Sequence, residues 1–151
     1  HFRVSRALTW NGTPLFLYPM TIAYFSTYYV LLVMGWRAFT RAVPNASFGS
    51  RLAVRAVLCY VVAFAETLAM ATDGMRPFFS YRDPGWVMRW GSICYGTVFF
   101  VTLPQLAELD EKGPEPAARS TLTSLAMRAL ALNLIILLVY EAYAFFLRTV
   151  R

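Results

Sequence analysis

The sequence predicts an all-α fold: a polytopic transmembrane helical bundle of four membrane-spanning helices that forms one domain over residues 1–151. Composition is the first reason, since 58% of the 151 residues are hydrophobic and only 15% are charged, whereas a soluble domain is about 25% charged. Segment length is the second reason, because the apolar residues form four long runs and a helix crosses a bilayer with about 20 mostly apolar residues. Runs of this length leave too little polar chain to cover a soluble core. The pattern therefore excludes a soluble domain and a disordered chain.

Each predicted helix is built on one of these apolar runs. The expected helices cover about residues 14–39, 51–72, 86–107 and 121–148. Before the first helix, Asn11-Gly12 favours a turn, while Thr13 is suited to cap the helix and Pro14 to occupy its first turn. The first helix also carries several tyrosines. We therefore expect one of its faces to meet protein or a cavity rather than lipid.

Proline and capping residues are expected to separate the other helices. Pro44-Asn45 interrupts the chain after the first helix, and Ser50 is positioned to cap the second. The third helix is expected to bend or end at Pro104. Ser120 or Thr121 then caps the fourth helix.

The charged residues lie mainly at the ends of the predicted helices. The net charge of +6 therefore reflects arginines that anchor helices at the membrane interface, and we expect no nucleic-acid partner. Residues 37–55 contain four arginines and no acid, so the positive-inside rule places this connection on the cytoplasmic side. Three arginines in residues 76–89 count against that orientation. The expected location is a bacterial inner membrane, or the endoplasmic reticulum if the source is eukaryotic.

The sequence carries no motif for a common cofactor. It contains no phosphate-binding loop, GxGxxG, GxSxG, HExxH or haem-attachment spacing. Cys59 and Cys94 lie in apolar runs without CxxC spacing, so we interpret them as small buried hydrophobes. We expect neither a metal nor a cofactor. The chain begins at His1 without Met or a signal-peptide pattern, and we expect that it is part of a longer chain.

Two carboxylates stand out, because ionisable side chains inside apolar runs are costly and are functional candidates. Glu66 lies near the middle of the run 56–72, at a predicted mid-membrane depth that favours the neutral carboxylic acid. A neutral carboxyl group donates protons, which makes Glu66 a candidate acid. The alternative is that Glu66 bonds a tyrosine or arginine of a neighbouring helix and only stabilises the bundle. Glu141 lies nearer the end of its run, where a structural role is the first interpretation.

Two stretches in the centre of the chain carry a family resemblance. The first has the sequence AFAETLA at residues 63–69, and the second includes Tyr81-Arg82-Asp83, Gly91, Tyr95, Pro104 and Asp110-Glu111-Lys112. In this order they resemble the cycloeucalenol cycloisomerase family over about residues 60–112. The resemblance is weaker over residues 1–40, where His1-Phe2 resembles a His-aromatic pair of the family and Tyr28-Tyr29 an aromatic pair. In the fourth helix it consists mainly of an acid near the end, at Glu141. It indicates a distant, bacterial homologue, because the loop between Glu66 and Gly91 is longer than in the plant pattern.

The resemblance implies a membrane sterol isomerase that opens the 9β,19-cyclopropane ring without a cofactor. Glu66 would protonate the strained ring carbon, and Asp83 or Glu141 would supply the base or orient it. Tyr28 and Tyr95 would line the substrate pocket, where aromatic faces stabilise a cationic intermediate. The sterol or other lipid would enter laterally from the bilayer.

Two other functions stay open on the sequence alone. One is a non-catalytic accessory subunit of a larger membrane complex, in which a cycloisomerase-like fold is retained and polar residues pair with partner subunits. The other is a lipid or sterol carrier that performs no chemistry. Activity of the isolated protein on a cyclopropyl sterol favours the enzyme, whereas a stoichiometric complex favours the subunit.

Overall fold

Long helices make up most of the structure, a computed structural model that describes residues 8–10, 13–77, 79–111 and 121–149. This confirms the all-α prediction. The helices are α1 (Leu17–Ala42), α2 (Phe48–Met70), the single turn α3 (Pro84–Trp86), α4 (Ser92–Glu111) and α5 (Leu122–Thr149). A 3-10 turn (Asp73–Met75) follows α2, and a π-helical stretch (Val87–Gly91) joins α3 to α4. The strands β1 (Thr9–Trp10) and β2 (Thr13–Pro14) form a short antiparallel hairpin before α1.

Three helices in the described part of the chain are long and apolar enough to cross a membrane. They are Leu17–Ala42, Phe48–Met70 and Leu122–Leu147. A helix of 23 residues, such as the second of these, is about 35 Å long, and the hydrocarbon core of a bilayer is about 30 Å thick. Few residues in the apolar stretches of these helices are buried: 11%, 17% and 0% in the first, second and third span. The protein is therefore a membrane-integral helical bundle.

The central helix of the bundle is α4, which packs against α1, α2 and α5. Its Phe99 is fully buried and meets Phe25, Tyr28 and Tyr29 of α1 edge to face, with ring centroids 5.7–6.0 Å apart. Cys59 of α2 is 1% exposed in the same core, as expected for a small buried hydrophobe. This packing brings α1, α2 and α4 together around a common axis.

Helices α2 and α4 pack closely against each other, and Gly96 permits this approach. A Cβ at Gly96 would lie 3.3 Å from the Cα of Tyr60 and 3.5 Å from the carbonyl oxygen of Cys59. Helix backbones approach this closely only where one side chain is very small. Gly96 therefore sets the distance between the helix that carries Glu66 and the helix that carries Tyr95.

The beginning of α1 differs from the prediction. Thr13 and Pro14 pair with Trp10 and Thr9 in the hairpin, so neither caps the helix nor occupies its first turn. The hairpin hydrogen bonds, together with the 2.8 Å bond from the amide of Leu15 to the carbonyl of Leu8, hold this segment extended. The helix therefore begins at Leu17 rather than near residue 14. Asn11 and Gly12 lie outside the described residues.

The connection between α1 and α2 contains the predicted break at Pro44, but the cap of α2 is Ser47 instead of Ser50. The Ser47 hydroxyl accepts a hydrogen bond from the amide of Ser50 at 3.2 Å, which is the usual geometry of a helix N-cap. Arg51 donates to the carbonyls of Ala46 and Pro44 at 3.1 and 2.8 Å. This arginine therefore fixes the connection to the first turns of α2.

The third and fourth predicted helices also shift at their ends. Pro104 lies inside α4, which continues to Glu111 instead of ending at the proline. Asp83 starts helical structure at Pro84 and thereby lengthens the third helical region. Thr121 caps α5 as predicted, since its hydroxyl accepts from the amide of Ser124 at 3.2 Å. Ser120 lies outside the described residues, as do His1, Phe2 and Lys112 of the family resemblance.

Candidate functional site

Glu66 lies one turn before the end of α2. The apolar run 56–72 placed it near the middle of a span, but the observed helix α2 extends from Phe48 to Met70, so Glu66 lies in its last part. The side chain is half-buried, and its Oε2 atom is buried without a hydrogen-bond partner among the described residues. A buried polar atom in this state is costly and marks a candidate site for a ligand or a proton.

Three tyrosines from three different parts of the fold lie near the Glu66 carboxyl group. Tyr28 comes from α1, Tyr95 from α4 and Tyr81 from the segment between α2 and α3. Each of these phenols lies within electrostatic reach of Glu66. We call these four residues the Glu66 cluster. The sequence predicted Tyr28 and Tyr95 as pocket residues, and the structure brings both to Glu66.

Tyr81 is the member of the cluster that sequence reasoning did not assign to the site. Burial raises the pKa of its phenol above the usual range, and neighbouring Tyr95 and Glu66 raise it further. The phenol therefore stays protonated and serves as a hydrogen-bond donor near neutral pH. Its ring meets Phe79 edge to face at 4.8 Å. The only sequence signal was its place beside Asp83 in the family resemblance.

A cavity of about 370 Å³ opens next to the cluster, between the end of α2 and the start of α3. Its lining residues are Met70, Ala71, Thr72, Arg76, Phe79, Ser80, Tyr81 and Pro84. Tyr81 thus belongs both to the cavity wall and to the Glu66 cluster. At the exposed rim, Arg76 forms an ion pair with Asp73 at 3.1 Å. Tyr81 is therefore the residue that links this partly polar cavity to the Glu66 cluster.

Further hydroxyl groups connect the outer helices to α4. The Tyr143 hydroxyl of α5 is hydrogen-bonded to Thr97 at 2.8 Å, and the Tyr29 hydroxyl of α1 accepts from Thr102 at 3.1 Å. Tyr140 of α5 lies within electrostatic reach of Tyr95. These polar contacts fix the orientation of α4, and with it the position of Tyr95.

Asp83 has a local structural role. Its Oδ1 atom accepts a hydrogen bond from the amide of Trp86 at 2.9 Å and so caps α3. The side chain is exposed, and its charge is not among those that act on Tyr28, Tyr81 or Tyr95. The structure therefore does not bring Asp83 into the Glu66 cluster.

This capping role predicts different effects on stability for two substitutions of Asp83. Asp83→Ala is expected to lower the free energy of unfolding by about 1 kcal/mol, because the Trp86 amide loses its acceptor. Asp83→Asn is expected to leave it nearly unchanged, since asparagine caps helices equally well. Unfolding of the two variants in detergent, followed by circular dichroism, measures the difference. An equal loss in both variants would mean that the charge of Asp83 matters instead of its capping bond.

Glu141, the other predicted acid or base, is exposed on α5. This helix packs against α4, whereas Glu66 is carried by α2. The charge of Glu141 is not among those that act on the tyrosines of the cluster. The structure therefore separates the two carboxylates that the sequence singled out.

The class defined by fold and site is a membrane-integral helical bundle with one carboxyl group among tyrosines. Within the described part of the chain, no three His, Cys, Asp or Glu side chains come together as metal ligands. Comparison with protein-family models, with curated proteins and with solved structures finds no match to this chain.

Proposed function

We propose that this protein is a membrane-embedded isomerase that opens the 9β,19-cyclopropane ring of a cyclopropyl sterol by acid–base proton transfer. The observation that carries the proposal is the Glu66 cluster, in which a buried carboxyl oxygen has no hydrogen-bond partner among the described residues. The family resemblance supports the substrate class. Over residues 60–112 it includes Glu66, Tyr81 and Tyr95 of the cluster, and its weaker part includes Tyr28.

Glu66 is the acid in this proposal. Its proton forms a C–H bond to the ring CH₂ group while the bond from that carbon to the ring-fusion carbon breaks, which leaves a cation on the ring-fusion carbon. The faces of Tyr28 and Tyr95 stabilise this cation, because aromatic rings attract positive charge. A base then removes a proton from the adjacent carbon, and a double bond forms there. The product has the same formula as the substrate.

The base is water in the cavity that Tyr81 borders. The candidates from the sequence, Asp83 and Glu141, are both exposed and outside the cluster, whereas the cavity of about 370 Å³ adjoins it. The released proton passes to this water, and Glu66 takes up a proton from the same source. The enzyme is thus restored with no net change in protons.

The proposal also includes α4 as a fourth membrane-spanning helix. Its 20 residues give a length of about 30 Å, which matches the hydrocarbon thickness. Because α4 packs against α1, α2 and α5, a membrane that contains those helices also contains α4. The sterol then reaches the Glu66 cluster laterally, between helices, from the lipid.

Turnover in D₂O tests this function. The full chain in lipid nanodiscs is incubated with a cyclopropyl sterol such as cycloeucalenol, and the product is analysed by mass spectrometry. We expect a ring-opened isomer that carries one deuterium in the new methyl group, because the Glu66 proton exchanges with solvent. The absence of any ring-opened product would overturn the proposal.

An accessory subunit of a membrane complex is the second candidate, and Glu141 favours it. This carboxylate is exposed on α5, whose apolar side chains are exposed along its length. A carboxylate on a lipid-facing surface is costly unless a partner helix satisfies it. In that case the chain co-purifies with a partner in a fixed ratio, Glu141→Leu releases the partner, and the isolated chain has no activity on the sterol.

A further inference from the structure

A second cavity lies toward the other end of α2 from Glu66, between α1, α2 and α4. Its volume is about 230 Å³, and its walls are formed by Trp36, Arg55, Leu103, Pro104, Ala107 and Glu108. Arg55 and Glu66 are separated by about 16 Å along the helix. This cavity is therefore distinct from the proposed sterol site.

Arg55 has an incompletely satisfied guanidinium group in this cavity. Its central carbon lies 4.0 Å from the centre of the Phe100 ring, in a cation–π contact. Its Nε atom is buried and has no hydrogen-bond partner in the part of the chain that the structure describes. A buried N–H group of a cation strongly favours an anionic oxygen acceptor. The guanidinium geometry is especially suited to phosphate.

The negative charge in the same cavity is already partly neutralised. Both carboxylate oxygens of Glu108 lie 3.4 Å from the guanidinium of Arg128 on α5. The other walls, Leu103, Ala107 and Trp36, are apolar or aromatic. Tryptophan is enriched at the membrane–water interface, where headgroups and acyl chains meet. The cavity thus combines a phosphate-binding cation with apolar walls.

The surrounding end of the bundle is basic. The last turn of α1, the α1–α2 connection and the first half of α2 cover residues 37–55, which contain four arginines and no acid. A basic surface at a membrane interface attracts and concentrates anionic lipids. Charge complementarity therefore favours an anionic phospholipid headgroup over a zwitterionic one at this end.

We propose that the Trp36–Arg55–Glu108 cavity binds the headgroup phosphate of an anionic phospholipid from the adjacent leaflet. A phosphate oxygen accepts a hydrogen bond from the Nε atom of Arg55. The glycerol and the start of an acyl chain lie along Leu103 and Ala107. This inference does not depend on the proposed isomerase activity.

Two substitutions with opposite expected effects test the site. In Arg55→Gln the phosphate loses its charged donor, and we expect about tenfold weaker binding of phosphatidylglycerol. In Glu108→Gln the cavity loses a negative charge, and we expect tighter binding than in the wild type. Arg41→Gln is the matched control, since Arg41 is an exposed arginine at the same end of the bundle but does not line the cavity. We expect Arg41→Gln to bind phosphatidylglycerol nearly as tightly as the wild type does.

Binding is measured on the full chain in two ways. Native mass spectrometry counts the phosphatidylglycerol molecules retained during detergent exchange, with phosphatidylcholine as the comparison lipid. Thermal unfolding at increasing phosphatidylglycerol concentration measures how much the lipid stabilises the folded protein, because a ligand that binds only the native state raises its stability. Stabilisation by inorganic phosphate equal to that by phosphatidylglycerol would assign the site to free phosphate and overturn the lipid assignment.

Two further results would also overturn the proposal. One is a wild-type chain that retains phosphatidylglycerol and phosphatidylcholine equally. The other is an Arg55→Gln chain with unchanged lipid retention. If Arg55→Gln does not fold, Glu108→Gln decides, because unchanged or weaker binding in that variant contradicts a phosphate in the cavity.

Discussion

Glu66→Gln is expected to abolish opening of the cyclopropane ring while the bundle stays folded. Glutamine has nearly the same shape as glutamate and fills the same space, but its amide cannot protonate carbon. General acid catalysis typically contributes about 10²–10⁴-fold to a rate, so we expect a loss at least at the lower end of this range. Single-turnover assays of the nanodisc-embedded chain, with the product quantified by mass spectrometry, measure the loss.

The matched control is Glu141→Gln, which removes the other carboxylate from a predicted apolar run. Because Glu141 is exposed on α5 and outside the Glu66 cluster, we expect turnover close to that of the wild type. A Glu66→Gln chain with wild-type turnover would show that Glu66 is not the acid. A Glu66→Gln chain that loses turnover together with its cooperative unfolding would instead support the interpretation that Glu66 stabilises the bundle.

Tyr81→Phe tests the role of the Tyr81 hydroxyl group separately from that of its aromatic ring. Tyr81 lies at the boundary between the Glu66 cluster and the cavity. The substitution keeps the edge-to-face contact with Phe79 but removes the hydrogen-bond donor. Since Tyr81 borders both Glu66 and the cavity water in the proposed mechanism, we expect slower turnover with unchanged thermal stability. Turnover equal to that of the wild type would remove Tyr81 from the mechanism.

The fold class could be predicted from the sequence because bilayer thickness fixes the length of an apolar run. The exact ends of the helices could not, because they depend on local hydrogen bonds that residue type alone does not select. Ser47 and Ser50 are both suitable caps, and only the path of the α1–α2 connection, held by Arg51, selects Ser47. The position of Glu66 one turn before the end of α2 follows instead from where the helix ends, at Met70.

The candidate site was predictable only in part. Glu66 stands out because a charge inside an apolar run is rare, and that signal is local. Tyr81 joins the site through the fold of the segment after α2, and no helical spacing predicts where such a segment places a side chain. Asp83 has the residue type of an acid or base, but its position directly before Pro84 makes it a helix cap. Residue type therefore identified the candidate acid, whereas tertiary packing decided its neighbours.

Gly96→Leu is expected to have the largest effect on stability, because Gly96 holds α2 and α4 together. A Cβ at this position already lies 3.3 Å from the backbone of Tyr60, and backbone cannot rotate away as a flexible side chain does. Overpacking of a core costs about 1–3 kcal/mol, and occasionally more. The leucine must therefore separate α2 from α4. Thermal unfolding in detergent measures the loss.

Gly35→Ala is the matched control within a helix. Its added Cβ would meet the end of the Leu58 side chain at 2.9 Å, which can rotate, and alanine favours helix over glycine by about 1 kcal/mol. We expect Gly35→Ala to be as stable as the wild type or slightly more stable. In Gly96→Ala the contact with the Tyr60 backbone should cancel the gain in helix propensity. Equal effects at the two positions would contradict a close backbone contact at Gly96.

Substitution of Gly96 also connects helix packing with the proposed chemistry. Tyr95 precedes Gly96 on α4, and Glu66 lies on α2, so separation of the two helices moves the phenol away from the carboxyl group. A change of about 1 Å at a catalytic site is enough to lower a rate about 100-fold. We therefore expect Gly96→Ala, which folds more readily than Gly96→Leu, to reduce turnover more than Gly35→Ala does. Equal turnover in the two alanine variants would mean that the distance between Glu66 and Tyr95 does not limit the reaction.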